Sequence, residues 1–351
     1  MKKIINLMVM LGAVCGFTAC DLEITPDTAI AGKDAAHLKY VSALRNGIYN
    51  NMTTVSAYSN LVNTEYYTDL FNETINSGNR GGFFSRWNLH ADDQEILAIW
   101  TNYYTTILQV NYALEKAALA IEQEPENAEE LKLYMGEMYF VRAYMIHQLA
   151  LRFCEDYDPD RADAQLGVPC PVEYAPGAQL PRGTLAQTYA RITEDIKSAE
   201  GLVTTQGSQN SKYITVDAIT AFKAQVALQM HDYDNAIAYA SSLYSKYPLV
   251  NTREGLKNLW LQGTCTETIM QLEVTRNTYN LIGATTDYLS GSYQSASGTY
   301  LYNPGYVPEQ WVCDLFTADD YRYGPYVGPA TIRNIDSDGR LLMKLAGLVG
   351  L

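Results

Sequence analysis

Apolar residues in the stretch from 96 to 121 fall at Ile96, Trp100, Tyr103, Ile107, Val110, Leu114, Ala117 and Ile121. The steps between them alternate between four and three, as one face of an α-helix demands. A helix of about seven turns cannot leave such a face in water, so another element must cover it. Pro125 and Asn127 close this helix, and a short acidic turn leads to a second stripe at Tyr134, Met138, Val141, Met145 and Leu149. Two long helices joined by so short a loop lie antiparallel. Ala143 and Ala150 leave room for close approach.

A loop follows that carries Pro159, Pro169, Pro171, Pro176 and Pro181. Thr184 with Gln187 then reads as a capping box opening a helix with the stripe Leu185, Tyr189, Ile192, Ile196 and Ala199, and Gly201 helps end it. Residues 218–248 carry a stripe of Ile219, Phe222, Val226 and Met230 that breaks at His231-Asp232. It restarts with Asp234, Ala236, Ile237, Ala240 and Leu243 and halts at Tyr247-Pro248. Small alanines at a helix crossing, a tight polar turn and a terminal proline resemble one tetratricopeptide repeat of about 34 residues. One such repeat cannot bury its faces alone, so the earlier helix pairs are the expected neighbours. The fold class expected is all-α, a superhelix of tetratricopeptide-like helical pairs with long loop excursions.

Beyond residue 250 the character changes. Residues 277–306 are rich in Thr, Ser, Gly, Tyr and Asn without helical period and read as a long ordered excursion. Six tyrosines there, Tyr279, Tyr288, Tyr293, Tyr300, Tyr302 and Tyr306, argue for order, because disordered segments are poor in aromatics.

The N-terminus is a secretion signal in three parts. Lys2 and Lys3 supply the positive region, Ile4 to Val14 the apolar core, and Phe17-Thr18-Ala19 the approach to a cleavage point. The apolar run is too short to span a membrane as a helix. Phe17-Thr18-Ala19-Cys20 resembles a bacterial lipobox, which makes Cys20 the lipidated first residue of the mature chain and 1–19 the leader. Asp21 and Glu23 resemble an acidic surface-export tag.

A formal net charge of −14 argues against nucleic acid as a partner, because phosphate-backbone binding needs clustered Lys and Arg. Only 18% of residues are charged, while 28 are tyrosine, a residue that offers a flat face and a hydroxyl together. Cys154, Cys170, Cys265 and Cys313 stand at long, irregular spacings, which fits buried free thiols, and no CxxC zinc motif occurs.

Taken in order, these pieces look like the SusD/RagB family of outer-membrane nutrient-binding lipoproteins over nearly the whole chain. The resemblance is carried by "GEMYFVRAYMIHQLALRF" (136–153), "GVPCPVEYAPGAQLPRGTLAQTYARITEDIKSAEGLV" (167–203) and the repeat at 215–248. It is also carried by "NLWLQGTCTETIMQLEV" (258–274), similar to a strand-like passage of the family, and by "WVCDLFTADDYR" (311–322). The resemblance implies a helical core capping a SusC-like TonB-dependent outer-membrane transporter, held to the outer membrane by its lipid and presenting an oligosaccharide or polysaccharide for import. It divides the mature part, 20–351, into an N-terminal region 20–203, the repeat, and a loop-rich region 250–351. Family members continue well past the Asp-x-Arg region into a final helical pair, so the stop at "RLLMKLAGLVGL" implies a C-terminally short member.

No GxSxG elbow, HExxH, Walker loop or dinucleotide turn is present. The four histidines, His37, His90, His147 and His231, are scattered, and "HADDQE" (90–95) reads as helix capping. Asn334, Asp336 and Asp338 begin a calcium-loop pattern without the Glu at its twelfth place, and Asp156, Asp158, Asp160 and Asp163 read as a solvated acidic loop. Neither catalysis nor a cofactor is expected. Sugar recognition needs aromatic faces for the apolar side of a ring and planar polar groups for its hydroxyls. The best such cluster is residues 63–89, with Tyr66, Tyr67, Asp69, Asn79, Arg80, Phe83, Phe84 and Trp87. Ligand contacts are assigned to Asp69, Asn79, Arg80, Phe83 and Trp87, with Tyr293, Tyr300 and Tyr302 as the opposite wall. Peptide capture, a protein-gripping scaffold and an undeclared hydrolase are the rival readings.

Overall fold

The computed structural model describes residues 36–56, 68–73, 87–90, 92–263, 265–273, 292–294, 300–302, 306–323, 328–329 and 346–347. Its helices are α1 (Leu38–Ser56), α2 (Gln94–Gln123), α3 (Ala128–Phe153), α4 (Leu185–Leu202), α5 (Val216–Gln229), α6 (Tyr233–Leu243), α7 (Arg253–Gln262) and α8 (Gln310–Asp314). Between and beyond them lie the short strands β1 (Phe71–Glu73), β2 (Ser292–Gln294), β3 (Tyr300–Tyr302), β4 (Tyr306–Pro308), β5 (Gly328–Pro329) and β6 (Ala346–Gly347). The strands pair two by two, β1 with β4, β2 with β3 and β5 with β6, all antiparallel. The core is helical. Helix α1 packs on α2 and α3, α2 on α3, α3 on α4, α4 on α5 and α5 on α6. This is the expected stack of tetratricopeptide-like pairs.

Helix α3 is the middle of the stack and buries two faces. The stripe Leu131, Tyr134, Met138, Val141, Met145 and Leu149 is joined by Phe140, Ala143, Ile146 and Ala150 on the other side. Glu129 and Glu130 in its first turn and Arg152 in its last complement the helix dipole. Gly136 sets the crossing with α4. A methyl there would meet Leu202 Cβ at 2.8 Å and the Val203 backbone nitrogen at 3.0 Å. Glu137 lies inside the bundle with Arg45 of α1, whose Nη2 donates to Oε1 at 2.7 Å and whose Nε donates to Oε2. Burial pushes the Glu137 carboxyl up, and the guanidinium works against that. Rings of Tyr213, Tyr134 and Tyr49 surround the Arg45 guanidinium at 4.1, 4.6 and 5.2 Å. Cation–π contact thus replaces part of the lost hydration.

The capping box at Thr184 and Gln187 forms as read. Asp93 occupies the N-cap of α2, but its carboxylate accepts from the His90 backbone N–H instead of capping the helix. In the repeat, α5 and α6 are divided at His231, whose positive φ of 62° makes the turn tight, and Asp232 caps α6 by accepting from Asn235 N. Ala236 and Leu243 are buried against α5, yet Ile237 is 65% exposed and Ala240 lies in the open, because α5 is the principal partner of α6. The strand-like passage expected over 258–274 is helical over its first five residues, 258–262. Thr252 caps α7 and Gly263 ends it in the left-handed region, and beyond it Met270 forms a bridge with Ser211. Cys154, Cys170, Cys265 and Cys313 are free thiols, and of these only Cys313 is fully buried.

His147 on α3 is 3% exposed, and both its ring nitrogens lack a hydrogen-bond partner among the described residues. The rings of Tyr189 and Phe222 meet it edge-on. Burial, helped by the Arg152 charge, lowers its pKa to about 4. The folded state therefore keeps the imidazole neutral while the unfolded chain takes a proton near 6.5, so this residue's contribution is present above pH 6.5 and lost as pH falls to 4. At 1.36 kcal/mol per unit the loss is about 3 kcal/mol. Urea unfolding between pH 7 and pH 4 should show the decline, and His147→Leu should show a decline smaller by roughly that amount.

Candidate functional site

The segments expected to carry the ligand meet through backbone pairing. In the β1–β4 ladder Phe71 stands opposite Pro308, Asn72 opposite Val307 and Glu73 opposite Tyr306, and the Glu309 N–H continues it to the Leu70 carbonyl at 2.9 Å. Asp69 stands one residue before that contact and is exposed. The N-terminal stretch and the second-half excursion are thus tied side by side. Tyr293, Tyr300 and Tyr302 all lie in the β2–β3 hairpin, opposite Leu301, Gln294 and Ser292. Asn79, Arg80 and Phe83 lie outside the described residues, as do Tyr66, Tyr67, Phe84 and the lipidation residue Cys20. Trp87 is 69% exposed, and its backbone sits at φ 53°. A bulky side chain in the left-handed region costs energy that the surroundings must hold in place, and such strain gathers at functional sites.

A second feature stands on α2. Trp100, Tyr104 and Leu108 form one wall of a cavity of about 780 Å³, and the loop 169–180 forms the other. The Trp100 and Tyr104 rings pack at 4.8 Å, and Phe153 meets the indole edge-on at 4.9 Å. The loop is fastened from beneath. Tyr104 Oη donates to the Pro169 carbonyl at 2.8 Å, and Asn111 Nδ2 donates to the carbonyls of Pro171 and Glu173, each at 3.1 Å. Arg142 on α3 donates through Nη1 to Asn111 Oδ1 at 2.8 Å and grips Asp195 of α4 with Nε and Nη2 at 2.8 and 2.6 Å. Asp195 also receives Arg191. At the far end Arg182 donates to the carbonyls of Gly167 at 2.5 Å and Phe153 at 2.7 Å. Burial pushes the Cys170 thiol, which lines the cavity, up to about 11, so it stays protonated and donates to the Val168 carbonyl.

The model of the SusD-like family described as starch-binding and associating with the outer membrane matches residues 22–228. The chain belongs to this family. Among solved structures, a SusD superfamily protein from Bacteroides thetaiotaomicron is 20% identical, with a TM-score of 0.68 over 89% of this chain and 69% of its own. A SusD-like carbohydrate-binding protein from Bacteroides vulgatus is 15% identical, with a TM-score of 0.66 over 90% and 68%. Surface glycan-binding protein A from Bacteroides fluxus is 18% identical, with a TM-score of 0.60 over 81% and 63%. At these identities the likeness shows the shared fold, and the chain spans about two thirds of each relative's length. No curated protein matches.

In the sequence Trp100 is one residue of a helix stripe, and nothing there marks the 169–180 cavity of this SusD-like chain. The residue that builds it is Asn111, 3% exposed on an apolar helix, where a buried amide needs partners that its place in the sequence does not show. Asn111→Ala removes its two hydrogen bonds to the loop and should cost about 1–3 kcal/mol of stability. Amide hydrogen exchange over 170–174 should rise in that variant while exchange in α5 stays unchanged.

Proposed function

We propose that this chain is a surface capture protein, anchored by lipid on Cys20, that holds a glycan without altering it and passes it to a SusC-like TonB-dependent transporter. Membership in a family described as starch-binding and associating with the outer membrane supports the class of ligand and the site of action. The observation that carries the reading is Trp87, an exposed indole on a strained backbone just ahead of α2. An indole so exposed would give a pyranose a flat apolar face to stack on. Asp69, one residue before the Leu70 contact that extends the β1–β4 ladder, would accept hydroxyl protons of the sugar. Asn79, Arg80 and Phe83 would complete the near wall and Tyr293, Tyr300 and Tyr302 the far one. Affinity per site would be modest, and repeated contacts along a polymer would raise it.

Another reading, a tetratricopeptide-like scaffold that grips a protein, draws on α6 and its C-cap, where Tyr233, Ile237 and Tyr244 are all more than half exposed. The two separate by experiment. Migration through a gel containing neutral polysaccharide should be retarded for the full chain, and Trp87→Ala should weaken the interaction roughly tenfold, about 1.4 kcal/mol. Unchanged retardation in the variant would refute the assignment, sugar release would show a hydrolase, and copurification with a helical protein and no glycan affinity would favour the scaffold. Mass spectrometry of the mature protein should find acyl chains on Cys20.

A further inference from the structure

The groove between α2 and the loop 169–180 shares no lining residue with the loop-borne cluster around Trp87. Its volume of about 780 Å³ falls in the range of small-molecule sites, about 300–1,000 Å³. Its shape is set before any ligand arrives, because Tyr104, Asn111 and Arg142 hold the loop carbonyls and Arg182 holds the loop's end. The chemistry of the lining narrows the occupant. Trp100 and Tyr104 give aromatic surface, the Glu173 carboxylate and the Gln179 amide give the polar groups, and no Lys, Arg or His lines the groove. An anionic ligand would meet one carboxylate and no cation. An extended peptide seeking backbone pairing would find few partners. Pro169, Pro171 and Pro176 have no N–H, and the carbonyls of Pro169, Pro171, Val172 and Glu173 already accept from inside the protein.

We propose that this groove is a second carbohydrate subsite, taking a short stretch of neutral glycan with the apolar face of one pyranose on the Trp100 indole and hydroxyls toward Glu173 and Gln179. The inference rests on the glycan-capture reading above and adds a place to it. Trp100 stands about 9 Å along α2 from its first residue, and Trp87 precedes that same helix end. Two aromatic platforms at one end of one helix would hold neighbouring parts of a polymer, and the gain would come from effective concentration, not from stronger single contacts.

Oxidative footprinting tests this with the full chain and with Trp87→Ala, each treated with hydroxyl radicals in the absence and presence of maltoheptaose, then of cello- and xylo-oligosaccharides, with oxidation at Trp87 and Trp100 read separately by tandem mass spectrometry. The expected result is at least twofold slower oxidation of Trp100 with one of these glycans, persisting in Trp87→Ala and abolished by Glu173→Ala combined with Gln179→Ala, two exposed loop positions whose truncation leaves the core alone. Protection of Trp87 with unchanged oxidation of Trp100 would overturn the subsite and leave glycan capture standing. Loss of Trp100 protection in Trp87→Ala would overturn it as well, since the effect would then be indirect. Protection of neither indole by any of the glycans would count against both readings, and protection of Trp100 by extended peptides alone would make the groove a protein contact.

Discussion

The two-toothed grip of Arg142 on Asp195 organises more of this molecule than any single apolar contact. Asp195 is fully buried and Arg142 nearly so, and the pair lies between α3 and α4. Taking two charges out of water is costly, and such a pair is retained only when the remaining donors are satisfied. Here they are. The third arm of the guanidinium goes to Asn111 on α2, and Asn111 in turn holds the carbonyls of Pro171 and Glu173. One buried cation therefore fixes the relation of three helices and one surface loop. The Arg45–Glu137 pair does similar work where α1 meets α3, with three tyrosine rings in place of solvent.

Helix pairing was open to reading because it is a one-dimensional property. Steps of three and four from Ile96 to Ile121, the box at Thr184-Gln187 and the break at His231-Asp232 each follow from local geometry, and each has its counterpart in α2, α4 and the α5–α6 turn. What escaped was three-dimensional. Ile237 and Ala240 share the period of Ala236, yet burial depends on whether a neighbour stands there, which no period encodes. The passage 258–274 is rich in residues at home in strands, but caps at Thr252 and Gly263 decide in favour of a helix over its first part. Polar residues inside helices were the least legible. Asn111, Glu137, Arg142 and Asp195 sit in periodic patterns as ordinary surface residues would, and the partners that tie them to other elements lie from 30 to 92 positions away in sequence.

The candidate site divides in the same way. Clustered aromatics around 63–89 and the tyrosines of the excursion are visible as composition, and the β1–β4 ladder is what lays the two stretches side by side. Nothing in composition could show that Trp87 would stand exposed on a left-handed backbone, since that conformation depends on how the chain enters α2. The groove beside Trp100 was hidden for another reason. Its wall is a proline-bearing loop, and only the anchors beneath, on two different helices, turn it into a surface of fixed shape.

The β1–β4 pairing joins Phe71 to Pro308, positions more than two hundred residues apart. Closing so long a stretch of chain is entropically unfavourable until something has already brought its ends near, and contacts of this separation form slowly. The helical stack is assembled from neighbours in sequence and needs no such closure. In the order of folding, then, the rigid frame precedes the strip that joins Phe71–Glu73 to Tyr306–Pro308, so that strip closes onto a surface already in place.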